Sequence, residues 1–208
     1  MCNPGFNRAP DKLSGMTTSQ KVDSAVVNGI DAKQVQQIIE AVKGNPAIAQ
    51  TTFFSTTTWK SGFNNETTIK DFEMGKNKVS RPHTFRVEGD HPPELLGTNR
   101  GPISVELLLA ALGQSFAIGW SKYGAVLGVP IDGLKVQVDG DIDLQGMLML
   151  PQPGAVRPGY QEIRAKYYVK SKASRSQLEQ LKKMAEDLSP IRDSLRAVRF
   201  ISELVIES

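Results

Sequence analysis

The chain has 208 residues, 39% of them apolar and 23% charged, with a formal net charge of +3. That balance excludes a disordered or fibrous chain and leaves room for one domain of ordinary size plus a tail. Lys and Arg are scattered without a basic run, which argues against nucleic acid as a partner. The longest apolar stretch, Val105 to Val129, is broken by Glu106, Gln114, Ser121 and Lys122, which argues against a membrane span.

Residues 1–28 carry no sustained period and are expected to form a flexible N-terminal tail. The first fifteen are polar, with Pro and Gly and no apolar stretch of the secretory kind, so a cytoplasmic protein is expected. The only cysteine is Cys2, which excludes an intramolecular disulfide and reads as a thiol on a frayed end. Asp31 to Lys43 reads as a short amphipathic helix. Asp31 can cap it, Val35, Ile38, Ile39 and Val42 fall on one face, and Gly44-Asn45-Pro46 ends it. Thr51 to Lys60 and Glu66 to Phe72 read as strands around a turn marked by Gly62 and Asn64-Asn65. A third strand, Thr84 to Glu88, follows Pro82, and Asp90 to Pro102 is a loop.

The main helix is predicted over Ser104 to Leu127, capped by Ser104 and stopped by Gly128 and Pro130. Val105, Leu108, Leu109, Leu112 and Phe116 line one face, and Leu107, Ala110, Ala111, Ala117 and Ile118 cover much of the rest. A helix apolar on most sides is buried on most sides, which predicts a central helix or a dimer interface with tight packing around Ala111 and Leu112. Leu134 to Leu144 reads as a strand with a bulge or kink at Asp139-Gly140. A Pro/Gly-rich loop, Met147 to Gly159, precedes a strand over Ile163 to Val169. A helix over Ser174 to Leu188, a helical turn over Ser189 to Arg196 and a last strand over Val198 to Ile206 complete an α+β domain.

Little in this pattern carries chemistry by itself. His83 and His91 match no zinc spacing, and no phosphate loop or nucleophile elbow is present, so neither a metal nor a cofactor is expected. Asp139, Asp141 and Asp143 alternate along a strand and read as a solvated face. Trp120 and Tyr123 fit a core.

Four segments, in order, carry a resemblance. Gly101-Pro102-Ile103-Ser104-Val105-Glu106-Leu107-Leu108-Leu109-Ala110-Ala111-Leu112-Gly113-Gln114-Ser115 resembles the Gly-Pro-x-Pro-x-Glu-x-Leu-Leu-x-Ala-Leu-x-x-Cys signature of the OsmC/Ohr family. Gly133-Leu134-Lys135-Val136 with Asp141-Ile142-Asp143-Leu144-Gln145-Gly146 is similar to its Gly/Asp-rich strand. Arg157-Pro158-Gly159-Tyr160 and Ser189-Pro190-Ile191-Arg192-Asp193-Ser194-Leu195 resemble two further family segments. The resemblance spans roughly residues 50 to 206 and makes residues 29–208 an OsmC-like domain. It implies an intertwined homodimer with β-sheets around two central helices and a site at the subunit interface. There the family's organic hydroperoxide reductases, redox enzymes of the osmotic and peroxide stress response, use two cysteines organised by an Arg and a Glu.

This sequence departs at those places. The position of the reactive cysteine is Ser115 and that of the resolving cysteine is Ser189. The peroxidase Glu falls on Val105, with Glu106 one step later, and the Arg corresponds to Arg86. A thiol, with pKa about 8.5, can be lowered into the physiological range, whereas a serine needs an adjacent base, and no oxygen analogue of the sulfenic acid-to-disulfide cycle exists. Thiol-peroxidase activity is therefore predicted absent. The expectation is a small, largely apolar ligand in a dimer-interface pocket formed by Ser115, Ser189, Leu112, Phe116 and Trp120, with Arg86 and Glu106 as polar groups. The alternative is an enzyme, either a peroxidase using the displaced thiol of Cys2 or a hydrolase using Ser115. The plain structural reading of Ser115 is a hydroxyl bonded back to the carbonyl of Ala111.

Overall fold

Asn28 and Gly29 both take positive φ, 54° and 74°, and so close a tight antiparallel hairpin between β1 (Val26–Val27) and β2 (Ile30–Asp31). These residues begin a computed structural model that describes residues 26–148, 150, 152 and 154–207. Cys2 and residues 1–25 of the predicted tail lie outside the described residues. Val26 to Asn28, assigned to that tail from sequence, are ordered by the hairpin. The Asn28 side chain accepts from the Ile131 amide at 2.8 Å and donates to the Val129 carbonyl at 3.1 Å. Asp31 then caps α1 (Ala32–Gly44), accepting from the Lys33 amide at 2.8 Å.

The next segment is a β-arm whose predicted long strands are each divided. β3 (Thr51–Phe53) and β4 (Thr56–Ser61) replace one strand, and β5 (Asn64–Ile69) and β6 (Phe72–Met74) replace another. The pairs Phe53–Phe72 and Thr56–Thr68 bracket two residues on one side and three on the other, so the ladder cannot run through and the hairpin bends. β7 (Asn77–Val79), which the sequence pattern did not suggest, completes the sheet β3-β6-β7, and β8 (Phe85–Gly89) completes β4-β5-β8. Gly62, at φ 54°, takes the turn alone, because Asn64 and Asn65 already belong to β5.

The second half contains the core. α2 (Ser104–Leu127) matches its predicted bounds and ends at Gly128 with φ 67°. Ser104 makes no capping bond; the Glu106 carboxylate instead accepts from the Ile103 amide at 3.0 Å. β9 (Gly133–Asp141) and β10 (Glu162–Lys170) run antiparallel, and β11 (Arg199–Glu207) lies parallel to β10 on its other side. The β9–β10 register is unbroken through Gly140, so the expected bulge is absent. The glycine is needed for a different reason: a Cβ there would lie 2.7 Å from Cδ1 of Tyr160. The Tyr160 hydroxyl donates to the Val105 carbonyl at 2.8 Å and ties this loop to the start of α2.

β9 stops at Asp141 rather than Leu144. Asp143 leaves the strand face to cap α3 (Leu144–Met147), accepting from the Gln145 amide at 2.9 Å, while Asp139 and Asp141 pair with Arg164 on the solvated face. α4 (Arg175–Asp187) is capped reciprocally by Ser174 and Gln177, and α5 (Pro190–Ser194) follows directly. Leu112, Phe116 and Trp120 of α2 and Leu178, Leu181 and Ala185 of α4 pack on Ile163, Ala165, Tyr167 and Val169 of β10.

Candidate functional site

α2 and α4 meet closely because Gly119 has no side chain: a Cβ there would stand 3.0 Å from Cα of Ala185. This contact sets the C-terminal end of α4, and so Ser189, beside α2. Ser189 is the N-cap of α5, its hydroxyl oxygen accepting from the Arg192 amide at 3.1 Å, and it is only 3% exposed. The hydroxyls of Ser115 and Ser189, 74 positions apart in the chain, lie 2.8 Å from each other. The expected back-bond from Ser115 to the Ala111 carbonyl is replaced by this pairing.

Either hydroxyl can donate to the other, and Ser189 has no other side-chain partner among the described residues. Ser115 borders a groove of about 380 Å³ between α2, α4 and α5, with walls formed by Ala111, Ile118, Leu188, Pro190 and Ile191 and with Lys122 and Tyr123 at one end. Along α2 the groove follows Ala111, Ser115, Ile118 and Lys122, the spacing of one helix face.

The expected lining was drawn from a different face. Leu112, Phe116 and Trp120 are each 0% exposed and belong to the core, with Phe116 and Trp120 both 5.7 Å from Tyr167 by ring centroids, so none of the three borders the groove. They point at the sheet, roughly 100° per residue away from the Ser115 face. Arg86 lies on β8 in the arm, exposed, with its guanidinium 2.8 Å from Glu66. Glu106 closes the N-terminus of α2, nine residues and about 13 Å of helix before Ser115. The structure thus brings Ser115 and Ser189 together and leaves Arg86 and Glu106 outside their groove. The residues missed from sequence, Ile118, Lys122, Leu188 and Ile191, had one signal available: the helical spacing of Ile118 and Lys122 from Ser115.

Two further buried polar groups are structural. The Asp90 carboxyl accepts from the Thr98 hydroxyl at 2.6 Å and from the amides of His91, Thr98 and Arg100. These bonds, led by that of Thr98, lower its pKa to about 2. The Tyr167 hydroxyl is pushed far above the usual phenol range, first by burial and then by the charge of Glu186. His91 stacks on Phe63 at 4.5 Å. Among the described residues no cluster of three or more His, Cys, Asp or Glu side chains could hold a metal ion, and no helix is long and apolar enough to cross a membrane.

A family model described as OsmC-like protein matches residues 97–203, just over half of the chain. No curated protein matches the sequence. Among solved structures, an OsmC-like protein from Mycoplasma pneumoniae superposes with a TM-score of 0.58 at 14% identity, covering 75% of this chain and 97% of its own. An OsmC-like protein of unknown function from Vibrio cholerae gives 0.55 at 12% identity, with 74% and 98% covered. An organic hydroperoxide resistance protein from Elizabethkingia anophelis, crystallised with thiocyanate bound, gives 0.52 at 14% identity, with 76% and 96% covered. At these identities the structural likeness speaks for the fold, and the family match speaks for descent: with its α+β architecture, the chain belongs to the OsmC-like family.

Proposed function

We propose that this protein is a non-peroxidatic member of its family, a homodimer that binds a small, largely apolar molecule in the groove beside Ser115. One observation carries the reading: where the family's redox chemistry would need two thiols, two hydroxyls are paired with each other at 2.8 Å, next to an apolar groove of about 380 Å³. That volume lies in the range of small-molecule pockets, and an apolar wall with a few polar anchors is how such pockets are made. A hydroxyl cannot pass through the sulfenic acid and disulfide states, so the pair supports binding rather than peroxide reduction. The hydrolase alternative requires a base on Ser115. Among the described residues its hydroxyl bonds Ser189 alone, and no imidazole or carboxylate of this chain reaches it.

The dimer belongs to the same proposal. Phe53 and Trp59 on the arm are each 70% exposed and Ile118 on α2 is 62% exposed, apolar surface of the kind that a second copy covers. Arg86 and Glu106 take no part in this reading, because neither borders the groove. Native mass spectrometry of the purified protein tests it. The expected result is a dimer that retains a small non-covalent passenger, with the passenger absent from Ala111→Phe, whose ring fills the groove. A stable monomer at micromolar concentration, or a passenger unaffected by Ala111→Phe, would overturn the proposal.

A further inference from the structure

The sign of the groove's polar groups narrows the ligand. Among the described residues Lys122 is its only charged side chain, and no Asp or Glu borders it. Glu186 and Asp187, the nearest acids on α4, face a separate cavity with Arg192 and Arg196. Lys122 forms no ion pair with a carboxylate among the described residues, and its Nζ stands 4.4 Å from the ring centre of Tyr123. Seven residues before it on the same face stands Ser115, paired with Ser189. The ammonium is a donor only, whereas the Ser115, Gln114 and Tyr123 groups at the groove carry donor and acceptor alike, so Lys122 decides the sign. Between the anchors the wall is Ile118, Leu188 and Ile191.

Resting on the reading of this groove as a ligand site, we propose that its ligand is an apolar-chain monoanion, a carboxylate whose acid group is held by Lys122 and whose chain lies along Ile118, Leu188 and Ile191. A single half-buried lysine neutralises one negative charge, and among the described residues no second cation borders the groove to balance a dianion. The lysine stem is itself apolar and continues the wall up to the charged end. An amine would meet Lys122 as a like charge, and an alcohol would leave the ammonium without its counterion.

Calorimetric titration of the full chain with decanoate, decanol and decylamine, below their aggregation concentrations, tests this. Decanoate is expected to bind about tenfold tighter than decanol, as a charge-assisted bond at a partly exposed site would provide, with no binding of decylamine. The advantage should vanish in Lys122→Gln, persist in Lys122→Arg and shrink as salt is raised. All binding should be lost in Ala111→Phe. Decanol binding as tightly as decanoate, or a carboxylate advantage that survives Lys122→Gln, would overturn the assignment of the anion while leaving an apolar groove in place. Binding that persists in Ala111→Phe would place the ligand elsewhere and overturn it as well. Failure of all three probes to bind would overturn both this inference and the ligand-binding function beneath it.

Discussion

Replacing Ser115 and Ser189 together by cysteine, in a Cys2→Ser background, should create a disulfide on oxidation. The two oxygens already lie 2.8 Å apart, so the new sulfurs need to close by about 0.8 Å, and the longer bonds from Cβ to sulfur take up part of that distance. The cross-link joins positions 74 residues apart, for which the loss of unfolded-state entropy amounts to about 4.5 kcal/mol. Against this stands the loss of the Ser189 cap, whose hydroxyl accepts from the Arg192 amide, at about 1 kcal/mol. The net gain is about 3 to 4 kcal/mol, a rise in Tm on the order of 10 °C for a chain of this size. Oxidation with diamide followed by thiol titration reads the bond directly, and thermal unfolding with and without reductant reads its effect. Two thiols that stay titratable in a protein with a native circular dichroism spectrum would refute the geometry from which the whole site is argued.

Wild-type protein given cumene hydroperoxide and dithiothreitol should show no turnover above buffer; robust turnover that disappears in Cys2→Ser would establish a displaced-thiol peroxidase instead. Leu112→Ala should lower stability by about 2 to 5 kcal/mol in urea unfolding, because Leu112 is 0% exposed in the core, whereas its neighbour variant Ala111→Phe, facing the groove, should cost under about 1 kcal/mol. Similar costs at both positions would mean that the two faces of α2 are packed alike. The Asp90 carboxyl, whose pKa of about 2 in the folded chain lies below its ordinary value of 3.8, contributes stability that is present above about pH 4 and is lost as pH falls through about 2. The stability gap between wild type and Asp90→Asn, followed by denaturant titration, should therefore narrow below pH 4 and close near pH 2; a constant gap across that range would exclude the carboxylate as its source.

The extent of α2 was legible because its stop is written locally, in Gly128 and Pro130, and its period is long enough to read. The pairing of Ser115 with Ser189 was not legible from any local pattern, since 74 residues separate them; only the family resemblance placed both at one site. The choice of groove face failed for a physical reason. A helix apolar on nearly every side has no dominant face, so the bulkiest residues, Leu112, Phe116 and Trp120, look equally suited to a pocket and to a core. The arm's strands broke where the numbers of residues on facing chains differ, a property of the pair and not of either segment. Asn28-Gly29 carries an explicit hairpin signal, but strands of two residues are too short to show the alternation that would have drawn attention to it.

The core of α2 and the Ser115–Ser189 pair rest on different faces of the helix. The fully buried face of α2, Leu112, Phe116 and Trp120, packs in the core without Ser115. Ser189 is tied to the structure by its backbone neighbours: it caps α5, a task for which a serine oxygen is better suited than a sulfur. A serine at 189 therefore suits the local fold, and a serine at 115 gives its buried hydroxyl a side-chain partner. The two hydroxyls stabilise each other's presence, so replacing either one singly by cysteine should be worse than replacing both. Ser189→Cys alone loses the cap without gaining the cross-link. Ser115→Cys alone leaves the Ser189 hydroxyl with only a weak sulfur partner. The unfolding free energies of the two single variants and of the oxidised double variant should thus be strongly non-additive, with a coupling larger than the 0.5 to 3 kcal/mol that ordinary contacts give, roughly in line with the cross-link itself. Additivity within about 0.5 kcal/mol would mean that the two positions act independently and that the paired-hydroxyl site does not exist as a unit.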